Sequence, residues 1–357
     1  MIESEELEPR TVAHRWHVLD RIRLSRRAAL RGFGATAPMI GLALHEMQWG
    51  HAHDATPVGD VTMDAAGLVD IGGRSLYLTC AGSGGPTVVL VSGYRDTSDV
   101  WTVDLSEQTP ARTMVMPAVA SFTRVCAYDR PGTATSTGDI DFISRSDAIP
   151  QPRTLPDVVE ELHALVHASG IATPFVLSAH SLGGAAARLY ASTYPDDVSG
   201  MVLVDAYSEF IETLMTPEQW ESLVTFNAGL GTDTVVPIPD YGDLETIPYG
   251  SANPALRDAT DQSPLREMPL AVLAHGVPFD IDEPPEGFTP TELEGFLTRS
   301  NEYQATLVPD TRYLVGETSG HYIQQDQPEL VIEAIRQVVT GVREPETWTS
   351  LDSCCGS

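Results

Sequence analysis

Ala179-His180-Ser181-Leu182-Gly183 is the stretch on which the reading of this chain turns. An apolar run, Phe175-Val176-Leu177, leads into it, and a small-residue helix start, Gly184-Ala185-Ala186-Ala187, leads out. That pattern is strand, sharp turn, helix, with a serine at the apex. A turn of this kind forces the serine into a strained conformation and lifts its hydroxyl above the sheet. Ala179 and Gly183, two before and two after the serine, are small enough for helix and strand to pass close together.

Further strands follow the same logic on either side. Thr87-Val88-Val89-Leu90-Val91 is a continuous β-branched run, as expected of a strand buried on both faces of a parallel sheet, and it ends in Ser92-Gly93-Tyr94. Arg124 to Tyr128 reads as another strand, running into Asp129-Arg130-Pro131-Gly132. Met201 to Ala206, Leu270 to Gly276 and Arg312 to Val315 complete the series, and Ser319-Gly320-His321 follows the last. Helical patterns lie between, for example Leu155 to Ala168 and Pro328 to Val339. From about Gly67 onward, over about three quarters of its length, the sequence resembles the α/β-hydrolase family. It departs from that family's G-x-S-x-G pattern in having Ala179 for the first glycine, and from His-Gly-x in having Ser92. The resemblance implies an α/β fold: an open, mostly parallel, eight-stranded sheet with helices on both faces and an inserted cap. In such sheets the site lies beyond the carboxyl ends of the strands, where Ser181, Asp205 and His321 would fall.

Serine is a weak nucleophile and needs a base within hydrogen-bond reach. His321 is the best candidate, since a histidine titrates near neutrality and Ser-Gly-His resembles the family's closing motif. The histidine in turn needs a carboxylate to fix its tautomer. Two positions compete. Asp205 ends the strand after the nucleophile helix; Asp280, or Asp282, follows the strand where most family members carry the acid. Asp205 is favoured, because Asp280 lies several residues past the strand end among acids and prolines. Oxyanion donors would be the backbone N–H groups of Leu182 and Tyr94, each typically worth about 3 kcal/mol in the transition state. A serine at the elbow argues against the aspartate-nucleophile dehalogenases and epoxide hydrolases. It points to a serine hydrolase, a carboxylesterase by preference, working through an acyl-enzyme. Alternatives of the same fold are a ligand-binding or sensor protein with vestigial turnover, and a cofactor-free haloperoxidase or lyase.

Residues 207–268 are too long for a plain crossover and hold Trp220, Phe226, Tyr241, Tyr249 and many prolines. They read as the cap, with a largely apolar small-molecule acyl substrate beneath it. The net charge of −29, from 50 acids against 21 basic residues, all arginine, disfavours nucleic acid and anionic membrane as partners. No dinucleotide fingerprint or phosphate loop is present, and no cofactor is expected.

Seven arginines fall in the first 31 residues, followed by the apolar, uncharged stretch Gly32 to Leu44 and a small-x-small site, Gly50-His51-Ala52. Ser25-Arg26-Arg27-Ala28-Ala29-Leu30-Arg31 resembles a twin-arginine export signal, so residues 1–55 read as signal and linker and the enzyme as exported. The apolar stretch is too short to span a bilayer comfortably. The alternative is a cytoplasmic enzyme with an amphipathic N-terminal helix. Residues 56–345 then form the hydrolase domain and 346–357, with Cys354-Cys355, a disordered tail. Cys80 and Cys126 sit on strands that the resemblance makes neighbours; two small buried thiols are expected, with a disulfide as the alternative. His163 and His167 are four apart on one helix, but nothing supplies further ligands at a recognisable spacing, so a solvated helix flank and no metal are expected. The oligomeric state is not encoded in any pattern found here.

Overall fold

In a computed structural model, residues 64–105, 111–137, 140–232, 244–279 and 284–350 are described. The signal-like segment, Asp280, Asp282, Tyr241 and the Cys354-Cys355 pair lie outside them.

The chain runs through β1 (Ala65–Asp70), β2 (Ser75–Ala81), β3 (Val88–Val91), α1 (Val115–Ala120), β4 (Val125–Tyr128), β5 (Ala134–Thr137) and β6 (Ile140–Ile143). It continues through α2 (Leu155–Ser169), β7 (Phe175–His180), α3 (Leu182–Thr193), β8 (Val198–Val204), α4 (Phe210–Thr213), α5 (Pro217–Thr232) and α6 (Tyr249–Gln262). It ends with β9 (Leu270–His275), α7 (Pro290–Gln304), β10 (Arg312–Gly316), α8 (Ile323–Asp326) and α9 (Pro328–Arg343).

Eight strands form one sheet in the order β1-β2-β4-β3-β7-β8-β9-β10, and β5 pairs with β6 in a separate hairpin. Only β2 runs against the others of this sheet, antiparallel to both β1 and β4. From β3 the chain steps outward to β4, then returns to place β7 on the other side of β3. The crevice of an open sheet lies at such a reversal, here between the carboxyl ends of β3 and β7.

The central strands are apolar throughout because both faces are covered. Along β3, Val89 and Val91 pack with Leu162, Val166, Ala186 and Leu189 of α2 and α3. Val88 and Leu90 face the opposite layer, with Val115 and Val119 of α1 and Val331, Ile335 and Val338 of α9. Helix α2 starts at a capping box: Asp157 N–H donates to Thr154 Oγ1 at 3.3 Å and Thr154 N–H to Asp157 at 2.7 Å, satisfying two otherwise orphaned donors.

Among the described residues, the three helices between β8 and β9 divide. Ala252 and Leu256 of α6 join the main core beside α3. Ile211 of α4 and Leu223 of α5 instead form a separate apolar cluster with Phe288, Leu293 and Phe296, on and before α7. Cys80 and Cys126 are directly opposite on β2 and β4 and are joined as a disulfide, which corrects the expectation of two thiols. The alternating pleat turns both sulfurs to the same face, and a Cα separation of 4.1 Å brings them within bonding reach.

Candidate active site

Ser181 stands between the last residue of β7 and the first of α3, with φ 52° and ψ −125°. A non-glycine residue so far into positive φ costs on the order of 1–3 kcal/mol and persists only where its surroundings impose it. The surroundings here are backbone hydrogen bonds on both sides: Ser181 N–H donates to Val204 O at 3.1 Å, and Tyr207 N–H donates to Ser181 O at 2.9 Å. The Ser181 side chain makes no capping bond to its own helix. Gly183 shows why the next turn tolerates no side chain. A Cβ there would lie 2.4 Å from Ser92 O and 2.7 Å from Val91 O. The start of α3 therefore presses directly on the end of β3 and brings Leu182 beside Ser92-Gly93-Tyr94. Leu182 is the first residue of α3, so its N–H has no partner within the helix.

The loop after β3 is held from below. Arg130 donates to Ser92 O at 2.8 Å and to Gly93 O at 2.5 Å, and pairs with Glu245 at 2.6 Å; both side chains are almost fully buried. Glu245 also accepts from Arg95 N–H at 2.8 Å, at a residue with φ 63°. Burial pushes the Glu245 carboxyl up, but the Arg130 charge and hydrogen bonds outweigh it and the net shift is downward. With two carbonyls of the loop pinned by one guanidinium, its backbone orientation is fixed.

Asp205 follows β8 with φ 42°, a second strained turn at a strand end. Its buried carboxylate accepts from His321 Nδ1 at 2.5 Å, which leaves His321 Nε2 as the free acceptor of that ring. Asp205 also accepts from His275 Nδ1, 2.8 Å from each oxygen, and from Asn301 Nδ2 at 2.9 Å. Desolvation opposes its charge, but the His275 and His321 hydrogen bonds prevail and hold it well below the usual carboxylate range. Asp280 lies outside the described residues; the preceding Phe279 packs its ring on His275 and His321, at 4.9 Å and 5.4 Å.

Sequence reasoning passed over His275. Both its ring nitrogens face carboxylates, Nδ1 on Asp205 and Nε2 on Glu294 at 2.8 Å. A carboxylate can only accept, so both nitrogens carry protons and the ring is an imidazolium. Burial would lower its pKa, but the hydrogen bonds it donates to Asp205 and Glu294 push it up to about 10. A signal existed: His275 ends β9, the strand after which most family members place their acid. What hid it was that Glu294 and Asn301 arrive from α7, at no fixed spacing.

His180 precedes Ser181 as the last residue of β7. It is fully buried, and its Nε2 donates to the backbone O of His321 at 3.0 Å, with the two rings 4.5 Å apart. Burial, then the neighbouring His321, holds its pKa well below the ordinary value, so it is a neutral donor anchoring the His321 loop. The structure thus brings the loops bearing Ser181, Leu182, Tyr94, Asp205 and His321 to one end of the sheet.

A profile of the alpha/beta hydrolase family matches residues 88–334. The uncharacterized protein C23C11.06c of Schizosaccharomyces pombe is 32% identical over 108 residues, 30% of this chain and 18% of that protein, so the chain spans less than a fifth of its length. An AB hydrolase superfamily protein of Gibberella zeae is 21% identical over 305 residues, 72% of this chain and 87% of that one. Among solved structures, a thermophilic esterase from Thermogutta terrifontis superposes with a TM-score of 0.51 at 20% identity, covering 78% of this chain and 99% of that one. Among the described residues, no helix is long and apolar enough to cross a membrane.

Proposed function

Because the chain belongs to the alpha/beta hydrolase family, we propose that it is a serine hydrolase that cleaves carboxylic esters through Ser181, His321 and Asp205. The observation that carries this reading is the pairing of a strained, uncapped Ser181 at φ 52° with a His321 ring whose Nδ1 is held by Asp205 at 2.5 Å. In the proposed cycle, Ser181 Oγ attacks the acyl carbonyl carbon as its proton passes to His321 Nε2. Charge develops on the carbonyl oxygen and is met by the N–H groups of Leu182 and Tyr94. The C–O bond to the alcohol breaks, the alcohol takes the proton from His321, and the acyl group stays on Ser181. Water then gives a proton to the same nitrogen and attacks; the acid leaves and Ser181 recovers its proton.

The apolar cluster of Ile211, Leu223, Phe288 and Phe296 ties α4 and α5 to α7; we read these helices as part of the cap, whose apolar and aromatic make-up suits a small-molecule acyl chain. We also propose that the enzyme is exported. The Cys80–Cys126 disulfide supports this, since such bonds persist in oxidising compartments, and a twin-arginine-like segment precedes the domain.

Covalent labelling by an alkyl fluorophosphonate tests the catalytic reading. The adduct is expected on the peptide containing Ser181, and Ser181→Ala should abolish both labelling and hydrolysis of acyl esters of graded chain length. Adduct on another serine, or undiminished ester turnover in the variant, overturns it.

A further inference from the structure

At the end of the sheet opposite the candidate active site, the structure supplies what the spacing of His163 and His167 lacked. Asp197 precedes β8, whereas Asp205 follows it, so the strand puts roughly 25 Å between the two carboxylates at about 3.3 Å per residue. The Asp197 carboxylate reaches back to α2, with Oδ2 3.3 Å from His163 Nδ1 and 4.0 Å from His167 Nε2. All three ligand atoms lie within 4.8 Å of one another. Tetrahedral bonds of about 2.0–2.1 Å to nitrogen and oxygen would set them about 3.4 Å apart. The observed separations need only small side-chain rotations to reach that.

We propose that His163, His167 and Asp197 form a site for a divalent transition cation, zinc being the probe, with water completing its shell. Two imidazoles and one carboxylate suit zinc, copper or nickel rather than magnesium or calcium, which prefer oxygen donors throughout. The surroundings are built to hold these groups. Tyr194 stacks on the His163 ring at 3.7 Å and 4°, fixing its plane. Tyr190, fully buried, donates its hydroxyl to Asp197 Oδ2 at 2.9 Å, the outer hydrogen bond that orients a ligating carboxylate. The His167 side chain is 56% exposed, giving ion and water a path in. Bound there, the cation clamps the C-terminal half of α2 to the loop between α3 and β8. Its role is stability; it stands independently of the catalytic reading.

The chain carries other groups that bind zinc, His14, His17, His45, His51 and His53 among them, so the assignment rests on variants. Chelator-stripped full-length protein is titrated calorimetrically with zinc chloride beside His167→Gln, Asp197→Asn and Tyr190→Phe. The wild type is expected to bind one equivalent that both ligand variants lose and that Tyr190→Phe weakens about 10–100-fold. Zinc should also raise the unfolding temperature of the wild type and not of His167→Gln, because the ion binds only the folded site. His167→Gln removes an exposed group, so its fold is not at stake. Equal stoichiometry and affinity in wild type and His167→Gln overturns the proposal, as does a thermal shift that survives the substitution.

Discussion

The imidazole of His275 lies 2.8 Å from both carboxylate oxygens of Asp205. The same carboxylate holds His321, so one acid serves two histidines with opposite duties. His275, pinned also by Glu294, is a cation near neutral pH and favours the ionised form of Asp205. His321 is held by Asp205 through Nδ1, which leaves Nε2 for the proton transfer proposed above. A buried carboxylate with a single partner could be neutralised by burial; two histidines and Asn301 make its charged form the favoured one.

The His275 charge makes stability depend on pH in a defined direction. Its pKa of about 10 in the folded chain lies above the unfolded value near 6.5. Its contribution is therefore complete below about pH 6.5 and is lost as pH rises towards about 10, at up to about 1.4 kcal/mol per unit. Asp205 acts oppositely: its pKa is depressed, so its contribution is present above about pH 3.9 and fades as pH falls below that. Denaturant midpoints measured across the alkaline window should fall with pH in the wild type and flatten in His275→Gln. Parallel slopes in the two proteins would mean that His275 does not carry the charge.

Asp205 and Asp280 compete for the role of catalytic acid, and turnover separates them. Asp205→Asn should leave His321 in the wrong tautomer and lower ester turnover by about 10⁴-fold, the scale seen when a triad aspartate becomes an amide. Asp280→Asn should keep most of the activity, because Asp205 already holds His321 Nδ1 at 2.5 Å. If the larger loss falls on Asp280→Asn, the assignment is reversed.

Glu245 joins the residues between β8 and β9 to the loop after β3 through Arg130. Glu245→Gln leaves Arg130 buried without its carboxylate partner, while Arg153, 3.5 Å from Glu245, keeps Glu161 at 2.9 Å. Breaking such a pair costs on the order of 3–5 kcal/mol. Chemical denaturation should show a loss of that size. The surviving folded fraction should have reduced kcat, because the loop carrying Tyr94 loses its anchor. A stability change below about 1 kcal/mol, the scale of an exposed pair, would show that the pair is not buried in solution.

Legibility followed the range of the interaction. Strands β3, β7, β8 and β9 were readable because each is a continuous apolar run bounded by turn residues, and α2 because a helical pattern runs from Leu155 to Ala168. Ser181 was readable because a strained turn needs small neighbours at fixed offsets. Glu245, His275 and Asn301 were not, since their roles arise from contacts across 70 to 150 residues with no local pattern, and Glu294, 19 residues from His275, meets it at no recognisable spacing. Cys80 and Cys126 fall between these cases: their strands were legible, but facing partners across one rung depends on register.

The disulfide that register permits should be a large share of the domain's stability. It closes a loop of 46 residues between β2 and β4, and the loss of chain entropy in the unfolded state is then worth about 4 kcal/mol. Cys80→Ala combined with Cys126→Ala should cost about that much in denaturant unfolding, beyond what two small buried substitutions explain. Alkylation of the denatured wild type without reductant should leave the peptides carrying Cys80 and Cys126 unmodified, and with reductant should modify both. Protein recovered from a reducing cytoplasm should resemble the double variant, while protein recovered after export should not. That difference between compartments would link the sulfurs to the arginine pair at Arg26-Arg27: under the proposed export, an already folded domain would cross with its two cysteines in register and be oxidised on the far side. Free thiols at both positions in the exported protein would break that link.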